Sequence, residues 1–185
     1  STLGTTAIAA QAMTNILENL NGMAAIGIGV GLMTIVGQCM GADRKDEAVY
    51  YIKKLSVIAE VAIIVSCLLV FALIRPVTVL GGMEPASAKM CFHMVIWITI
   101  VKPIVWTLAF VPAYGLRAAG DVKFSMITSC LVMWLCRFCL CVILIRFLGF
   151  GPMGVWIGMF ADWTVRAVIF TWRFHSRRWL RYKVI

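Results

Sequence analysis

A stripe of polar residues interrupts the first long apolar run of the sequence. Its members are spaced so that they share one side of an α-helix: Gln11, Asn15, Glu18, Asn19 and Gly22. At 100° per residue they fall within an arc of about 100°. A carboxylate with amides on the same face can exchange a proton or hold Na⁺ through oxygen ligands. We therefore predict that Glu18, with Asn15 and Asn19, forms an ion- or proton-coupling site. A hydrogen-bonded cluster between helices is the alternative.

Five further ionisable residues lie inside apolar runs: Glu60, Lys102, Arg137, Asp162 and Arg166. A charge in apolar surroundings is costly, so it marks either a transport pathway or an ion pair. Asp162 and Arg166 are four residues apart on one predicted helix, and we predict that they form a structural pair. Glu60, Lys102 and Arg137, together with Gln11, are candidates for a substrate pathway. Glu60 needs a partner on another helix or a bound proton.

The cysteines give little support for metal or redox chemistry. Seven are present, and the segment CRFCLC places Cys136 and Cys139 three residues apart. No second pair and no suitably spaced histidine accompanies them. No nucleophile–base pair is visible either. The sequence therefore predicts no metal site, no cofactor and no enzyme activity, and the cysteines are expected to pack as small apolar residues.

Composition defines the environment in which these groups must work. Hydrophobic residues make up 62% of the chain, charged residues 14%, and the mean hydropathy is +0.95. Soluble domains carry about a quarter charged residues. Runs of about 20 apolar residues cross a bilayer as helices, because lipid leaves no partner for an open backbone. We predict an all-α integral membrane protein with five transmembrane helices, at approximately 7–40, 50–75, 90–115, 122–146 and 152–174.

The distribution of Lys and Arg predicts the orientation. If the helices alternate in direction, eleven Lys and Arg residues of the loops and tail lie on one side and three on the other. The positive-inside rule then places the C-terminus and the loop at 116–123 in the cytoplasm of a multi-pass protein. The basic tail is expected to contact lipid headgroups, with Trp172, Trp179 and Tyr182 as anchors, and no nucleic acid is expected as a partner.

Three segments resemble a known family. The first helix ends in LMTIVGQCMGADRKDEAVYY, the fourth begins with LRAAGDVKFSM, and the last reads GFGPMGVWIGMFADWTVRAVIFTWRFHSRRW. These segments resemble the VGQxxGA element, the LRGAGDTxxP loop and the C-terminal helix of the multidrug and toxic compound extrusion (MATE) family. The chain departs from the loop pattern at Ala118, Val122 and Ser125, where the family often has Gly, Thr and Pro.

The resemblance implies a fold and a function. The chain would be helices eight to twelve of a twelve-helix, two-lobe transporter, which is most of its C-terminal lobe. The N-terminal lobe would belong to the same protein, and the odd helix number and the start STLGTTAIAAQ also favour a piece of a longer chain. The whole protein would be an antiporter of the cell membrane. It would export organic, often cationic, drugs or toxic compounds in exchange for H⁺ or Na⁺.

The resembling loops are predicted to be structural. Gln38 and Gly41 end the first helix ahead of a charged loop. Gly120 permits a tight turn, and Asp121 is predicted to cap the fourth helix, with Arg117 on the cytoplasmic side. This loop would join two helices that move together as one rigid half.

Two other functions remain open from the sequence. A flippase for lipid-linked precursors or polysaccharides shares a related architecture and would carry rows of cationic residues along its cavity. A membrane scaffold subunit without transport activity would need no acidic residue at membrane depth, so Glu18 argues against it.

Overall fold

The protein is described by a computed structural model that covers residues 4–147, 149 and 151–181, with Pro152 described by its backbone alone. The described residues form helices and turns and contain no strand. Five helices are long and apolar enough to cross a membrane. They are α1 (Gly4–Gly41), α2 (Lys45–Leu80), α3 (Pro85–Ala118), α4 (Val122–Arg146) and α5 (Pro152–His175). The predicted class, an all-α membrane protein with five transmembrane helices, is confirmed.

The first three helices are longer than the bilayer core requires. α1, α2 and α3 contain 38, 36 and 34 residues. At 1.5 Å per residue each exceeds about 50 Å, whereas the hydrocarbon core is about 30 Å thick. The extra turns of α2 include Lys45, Asp46 and Glu47. Charged side chains are therefore carried beyond the core on rigid helix rather than on a flexible loop.

α3 is the centre of the bundle. It packs against α1, α2 and α5, and more lightly against α4. Two glycines permit the closest approaches. A Cβ atom at Gly29 of α1 would lie 2.6 Å from the ring of Tyr114, and one at Gly115 of α3 would lie 2.6 Å from Ile52. Small residues at helix contacts let backbones approach in membranes, where packing drives association.

The middle of α4 departs from α-helical geometry. Met133–Leu140 is π-helical, and Cys141–Arg146 returns to the α form. Gly158 of α5 packs against this segment, and a Cβ atom there would overlap Cys141 Sγ and lie 3.2 Å from the Cys136 carbonyl. π-Helical segments are frequently found at functional sites. Arg137 lies within this one.

The turn between α3 and α4 is held by α5. Gly120 has a φ of 94°, a left-handed conformation that favours glycine, which agrees with the predicted tight turn. The prediction for Asp121 is wrong. Asp121 stands at the N-cap position but makes no capping hydrogen bond, because its Oδ2 accepts a bond from Arg173 Nε at 2.7 Å. Arg117 Nε donates to Ser125 Oγ at 2.9 Å across the same turn.

The C-terminal tail folds back on the bundle. After α5 the chain forms a 3₁₀ turn at Arg178–Arg181. Trp179 is fully buried, stacks on Phe174 and donates its Nε1 hydrogen to the Phe174 carbonyl at 3.1 Å. Its predicted place among the lipid headgroups is therefore wrong, whereas Trp172 is exposed. Tyr182 and Lys183 lie outside the described residues.

Apolar side chains cover much of the outer surface. Exposed examples on three helices are Ile16, Leu20, Val61, Leu68 and Trp134. Such a surface is stable against acyl chains and not against water, so lipid is the medium that surrounds the bundle.

Candidate transport cavity

The best-defined polar contact at membrane depth joins α1 to α3. Lys102 Nζ lies 2.7 Å from Glu18 Oε1 and also donates to the Glu18 carbonyl oxygen at 3.0 Å. The Lys102 side chain is fully buried, whereas the Glu18 side chain is 15% exposed. Nζ also lies 5.3 Å from the centre of the Trp106 ring. Glu18 is thus paired with a cation from another helix, which the sequence analysis did not predict.

Local sequence on α1 makes room for this ammonium group. Gly22 follows Glu18 by one helical turn. A Cβ atom at Gly22 would lie 3.4 Å from Lys102 Nζ. The Lys102 side chain can therefore cross the contact between α3 and α1 beside Gly22 and reach the Glu18 carboxylate.

Glu18 lines a cavity of about 270 Å³, here called the aromatic cavity. Residues of α1, α3, α4 and α5 line it: Glu18, Asn19, Gly22, Ile26, Trp106, Phe110, Tyr114, Arg137, Met159 and Trp163. Trp106 and Phe110 are neighbours, with ring centres 4.8 Å apart. The cavity therefore offers a carboxylate surrounded by flat apolar walls, which suits an amphipathic cation.

Among the described residues, Arg137 is the cation that lines the same cavity, and it comes from α4. Arg137 projects from the π-helical segment, and its Nη2 lies 3.6 Å from Met159 Sδ. Among the residues that the structure describes, no carboxylate forms an ion pair with it. Arg137 is thus available to an anionic group in the cavity, and it opposes a second cation there.

A second polar layer lies behind the pair, towards α2. Asn21 is 2% exposed and its Nδ2 donates to Cys67 Sγ at 3.0 Å, while its Oδ1 has no partner. Cys67 is within electrostatic range of Glu18, Lys102 and Glu60. Glu60 is partly buried and does not line the aromatic cavity. Glu60, a predicted pathway residue, therefore lies outside the aromatic cavity, near Cys67.

Asp162 and Arg166 meet as the spacing predicted. Arg166 Nε donates to Asp162 Oδ1 at 2.9 Å, and both side chains are buried. Arg166 also donates to the Ser129 carbonyl of α4 at 3.0 Å and lies over the Phe110 ring of α3. The pair therefore joins three helices, and its predicted structural role stays a prediction.

The amides of the polar stripe have other partners than expected. Gln11 donates to Asn15 at 3.5 Å and accepts a bond from Trp156 Nε1 of α5 at 3.1 Å. Neither Asn15 nor Asn19 bonds Glu18, although Asn19 lines the cavity beside it. The stripe therefore has two parts: Gln11 is bonded to α5, whereas Glu18, Asn19 and Gly22 line the aromatic cavity.

The end of α1 is separate from the aromatic cavity. The Gln38 carbonyl accepts the Ala42 amide at 3.0 Å. Gln38 also lines a cavity of about 360 Å³ at the basic end, together with Arg44 and Glu47. Gly41 is exposed, with open space where a side chain would be. Both residues lie in the last turn of α1, their structural role stays a prediction, and neither lines the aromatic cavity.

Comparison with known proteins decides the family. The family model described as MatE matches residues 1–143. The chain belongs to the MATE family. Members of this family are transporters, not enzymes, and they work without a cofactor.

Relatives of this MATE chain carry related names. It is 23% identical to a "Probable multidrug resistance protein NorM" of Thermotoga maritima over 171 residues, which are 91% of the chain and 36% of that relative. It is 39% identical to "Uncharacterized transporter YisQ" of Bacillus subtilis over 67 residues, 36% of the chain and 15% of that protein. A "Probable multidrug resistance protein NorM" of Rhodopseudomonas palustris is 36% identical over 61 residues, 33% of the chain and 13% of that relative. The chain thus spans about a third or less of each, and no solved structure matches it.

The sequence alone did not point to the aromatic wall of this MATE cavity. Trp106, Phe110 and Tyr114 repeat every four residues along α3. That spacing puts them on one helix face and could have indicated a shared surface. Trp163 of α5 carries no comparable signal, because only the packing of α5 on α3 brings it to the same space.

Proposed function

We propose that this chain is most of the C-terminal lobe of a two-lobe MATE antiporter, whose N-terminal lobe belongs to the same protein. The whole protein would export organic, often cationic, compounds in exchange for H⁺ or Na⁺. The observation that carries the proposal is Glu18, a carboxylate on a membrane-spanning helix that pairs with a buried ammonium and also lines the aromatic cavity.

Coupling would follow from competition at one carboxylate. A cationic substrate and a coupling ion both seek the charge of Glu18, so each lowers the occupancy of the other. Asn19 supplies an amide beside Glu18, and Asn15 lies one turn away on the same helix. Trp106, Phe110 and Trp163 would hold the flat apolar part of the compound.

Transport would require the cavity to open alternately to each side of the membrane. In two-lobe transporters the lobes rock around a site near mid-membrane. We place the ends that carry most Lys and Arg in the cytoplasm of the cell membrane, including the turn at 119–121 and the C-terminus. The basis is the charge asymmetry of the loops and tail.

The rival functions receive less support. A flippase cavity would present several cations, but Lys102 is fully buried and paired with Glu18. Arg137 is then the cation that lines the cavity in the described part of the chain. A scaffold subunit would have no use for a carboxylate beside an aromatic cavity, and membership of a transporter family argues against it.

The experiment uses the full-length protein in proteoliposomes with ethidium as a fluorescent cationic probe. A proton gradient and a sodium gradient are imposed separately. We expect one of them to drive ethidium transport in the wild type, and Glu18→Gln to abolish that drive in protein that is verified as folded. Glu47→Gln, an exposed carboxylate at the basic end, is the matched control and should transport at the wild-type rate.

Two results would contradict the proposal. One is the absence of transport under both gradients with protein that binds the probe. The other is gradient-driven transport at the wild-type rate in Glu18→Gln, which would move the search for the coupling residue to Glu60 or to the part of the protein that precedes this chain.

A further inference from the structure

We propose that Lys102 is the group that releases and recovers the coupling proton, and that a cationic substrate replaces its charge at Glu18. This inference rests on the proposed function and makes H⁺ the coupling ion. It also changes the role of Glu18, which would remain an anion through most of the cycle and serve as the shared counter-ion.

The geometry around Lys102 leaves its ammonium dependent on one residue. Both hydrogen-bond acceptors that the described structure gives it, a carboxylate oxygen and a carbonyl oxygen, belong to Glu18. Its side chain has no exposed surface. An ammonium that loses its counter-ion in such a place keeps its charge only at a high cost, and lysine can meet that cost by losing its proton.

Glu18 can be reached by a substrate without opening the pair first. Oε1 accepts the bond from Lys102, and the residue also lines the aromatic cavity. A cation in the aromatic cavity would therefore share this carboxylate with Lys102. With both cations charged, two positive groups would share one negative group in a medium of low dielectric constant, which is unfavourable.

Other charges around Lys102 do not relieve this conflict. α1 contributes Glu18, α2 contributes Glu60 with the thiol of Cys67, and α4 contributes Arg137. α5 contributes Asp162 and Arg166, which neutralise each other. Among the described residues named here, Glu60 is the remaining anion, but it neither accepts a hydrogen bond from Lys102 nor lines the aromatic cavity. Arg137 adds a positive charge to the cavity wall.

Storing the proton on Glu18 instead would leave a worse arrangement. A neutral Glu18 would leave the buried ammonium of Lys102 without its counter-ion. With a neutral Lys102 and a Glu18–substrate pair, each described buried charge around Lys102 has a partner, because Arg137 is exposed and Asp162 and Arg166 pair with each other. The second state is the better balanced of the two.

The exchange conserves charge and atoms. The Nζ–H bond of Lys102 breaks and its proton passes through the Glu18 carboxylate to water in the open cavity, leaving a neutral amine. The substrate cation then pairs with the Glu18 anion. On the other side of the membrane a proton returns to Nζ by the same route as the cation leaves. One proton is exchanged for one monovalent cation, and the step is electrically neutral.

The test measures binding of tetraphenylphosphonium to the full-length protein in nanodiscs, with proton release recorded by a pH dye in weak buffer. Empty nanodiscs correct for partitioning into lipid. In the wild type we expect about one proton released per cation bound and an affinity that rises about tenfold per pH unit while Lys102 is protonated, as linkage requires.

Two substitutions of Lys102 distinguish the effect of its releasable proton from the effect of its positive charge. Lys102→Arg keeps a cation beside Glu18 that cannot lose its proton, so we expect at least tenfold weaker binding, no proton release and no dependence on pH. Lys102→Met leaves Glu18 free, so binding should persist without proton release. Lys53→Met, an exposed lysine of α2, is the matched control and should behave as the wild type.

Proton release of about one per cation in Lys102→Arg would overturn the inference, as would an unchanged pH dependence in Lys102→Met. Both results would return the proton to Glu18 and leave the antiporter proposal intact. If the linkage through Lys102 holds but neither gradient drives ethidium in proteoliposomes, the antiporter proposal fails and the proton-exchanging pair stands. The two ideas are thus refuted by different measurements.

Discussion

We predict that removing Glu18 from the Glu18–Lys102 pair lowers the stability of the protein more than removing Lys102 does. Glu18→Gln leaves an ammonium with no exposed surface without its counter-ion, whereas Lys102→Met leaves a carboxylate that already has 15% exposure towards the cavity. Removing one partner of a buried pair costs about 3–5 kcal/mol. We assign that range to Glu18→Gln and about 1–2 kcal/mol to Lys102→Met, since water can still reach the carboxylate.

The measurement is a cycle of four proteins: wild type, Glu18→Gln, Lys102→Met and the double variant. Each is fused to a fluorescent reporter, and the folded fraction is read by size-exclusion chromatography, with thermal unfolding in detergent as the second readout. A cost of about 3 kcal/mol lowers the folded-to-unfolded ratio by more than about a hundredfold.

We expect Glu18→Gln to be the less stable single variant and the double variant to recover most of the loss. Equal damage from the two single changes would refute the argument from exposure. A double variant no better than the worse single would show that the two residues are not energetically coupled.

Three further predictions follow from other contacts. Arg137→Gln should strengthen binding of tetraphenylphosphonium several-fold in the full-length protein, because it removes a positive charge from the cavity wall; unchanged or weaker binding would contradict this. Asp121→Asn should lower the free energy of unfolding by about 1–3 kcal/mol, because it replaces the charged acceptor of the Arg173 hydrogen bond by a neutral one. A melting temperature equal to that of the wild type would contradict this. Val122→Cys in a cysteine-free background should react with a membrane-impermeant thiol reagent only when the cytoplasmic face is accessible, and labelling from outside the cell would reverse the orientation.

Local patterns were sufficient for some features of this protein. Apolar runs of sufficient length predicted five helices, because a lipid environment leaves the backbone no other choice. The pair Asp162–Arg166 could be predicted since its partners are four residues apart on one helix. The polar stripe likewise indicated that Glu18 faces a cavity or another polar group.

Contacts between helices could not be predicted in the same way. Lys102 and Glu18 are 84 residues apart in sequence. Their meeting depends on the rotation and depth of α3 against α1, which no local pattern encodes. Asp121 was assigned to the helix that it precedes because capping is a local rule. Its carboxylate instead accepts a hydrogen bond from Arg173, which lies 52 residues later in the sequence. The π-helical segment of α4 also has no signature in the sequence that we recognise.

The last helix has a mechanical consequence for the lobe. Polar bonds fasten α5 at three heights: Gln11 to Trp156 near one end, Arg166 to Ser129 in the middle and Asp121 to Arg173 at the other end. Hydrocarbon offers no substitute partner for Arg166, and Trp156 and Asp121 are buried in the protein, so bending α5 away from its neighbours would leave polar groups without partners. We therefore expect α5 to move together with α1 and α4, to which these bonds attach it, so that flexibility needed for a change of conformation would lie at other borders of the bundle.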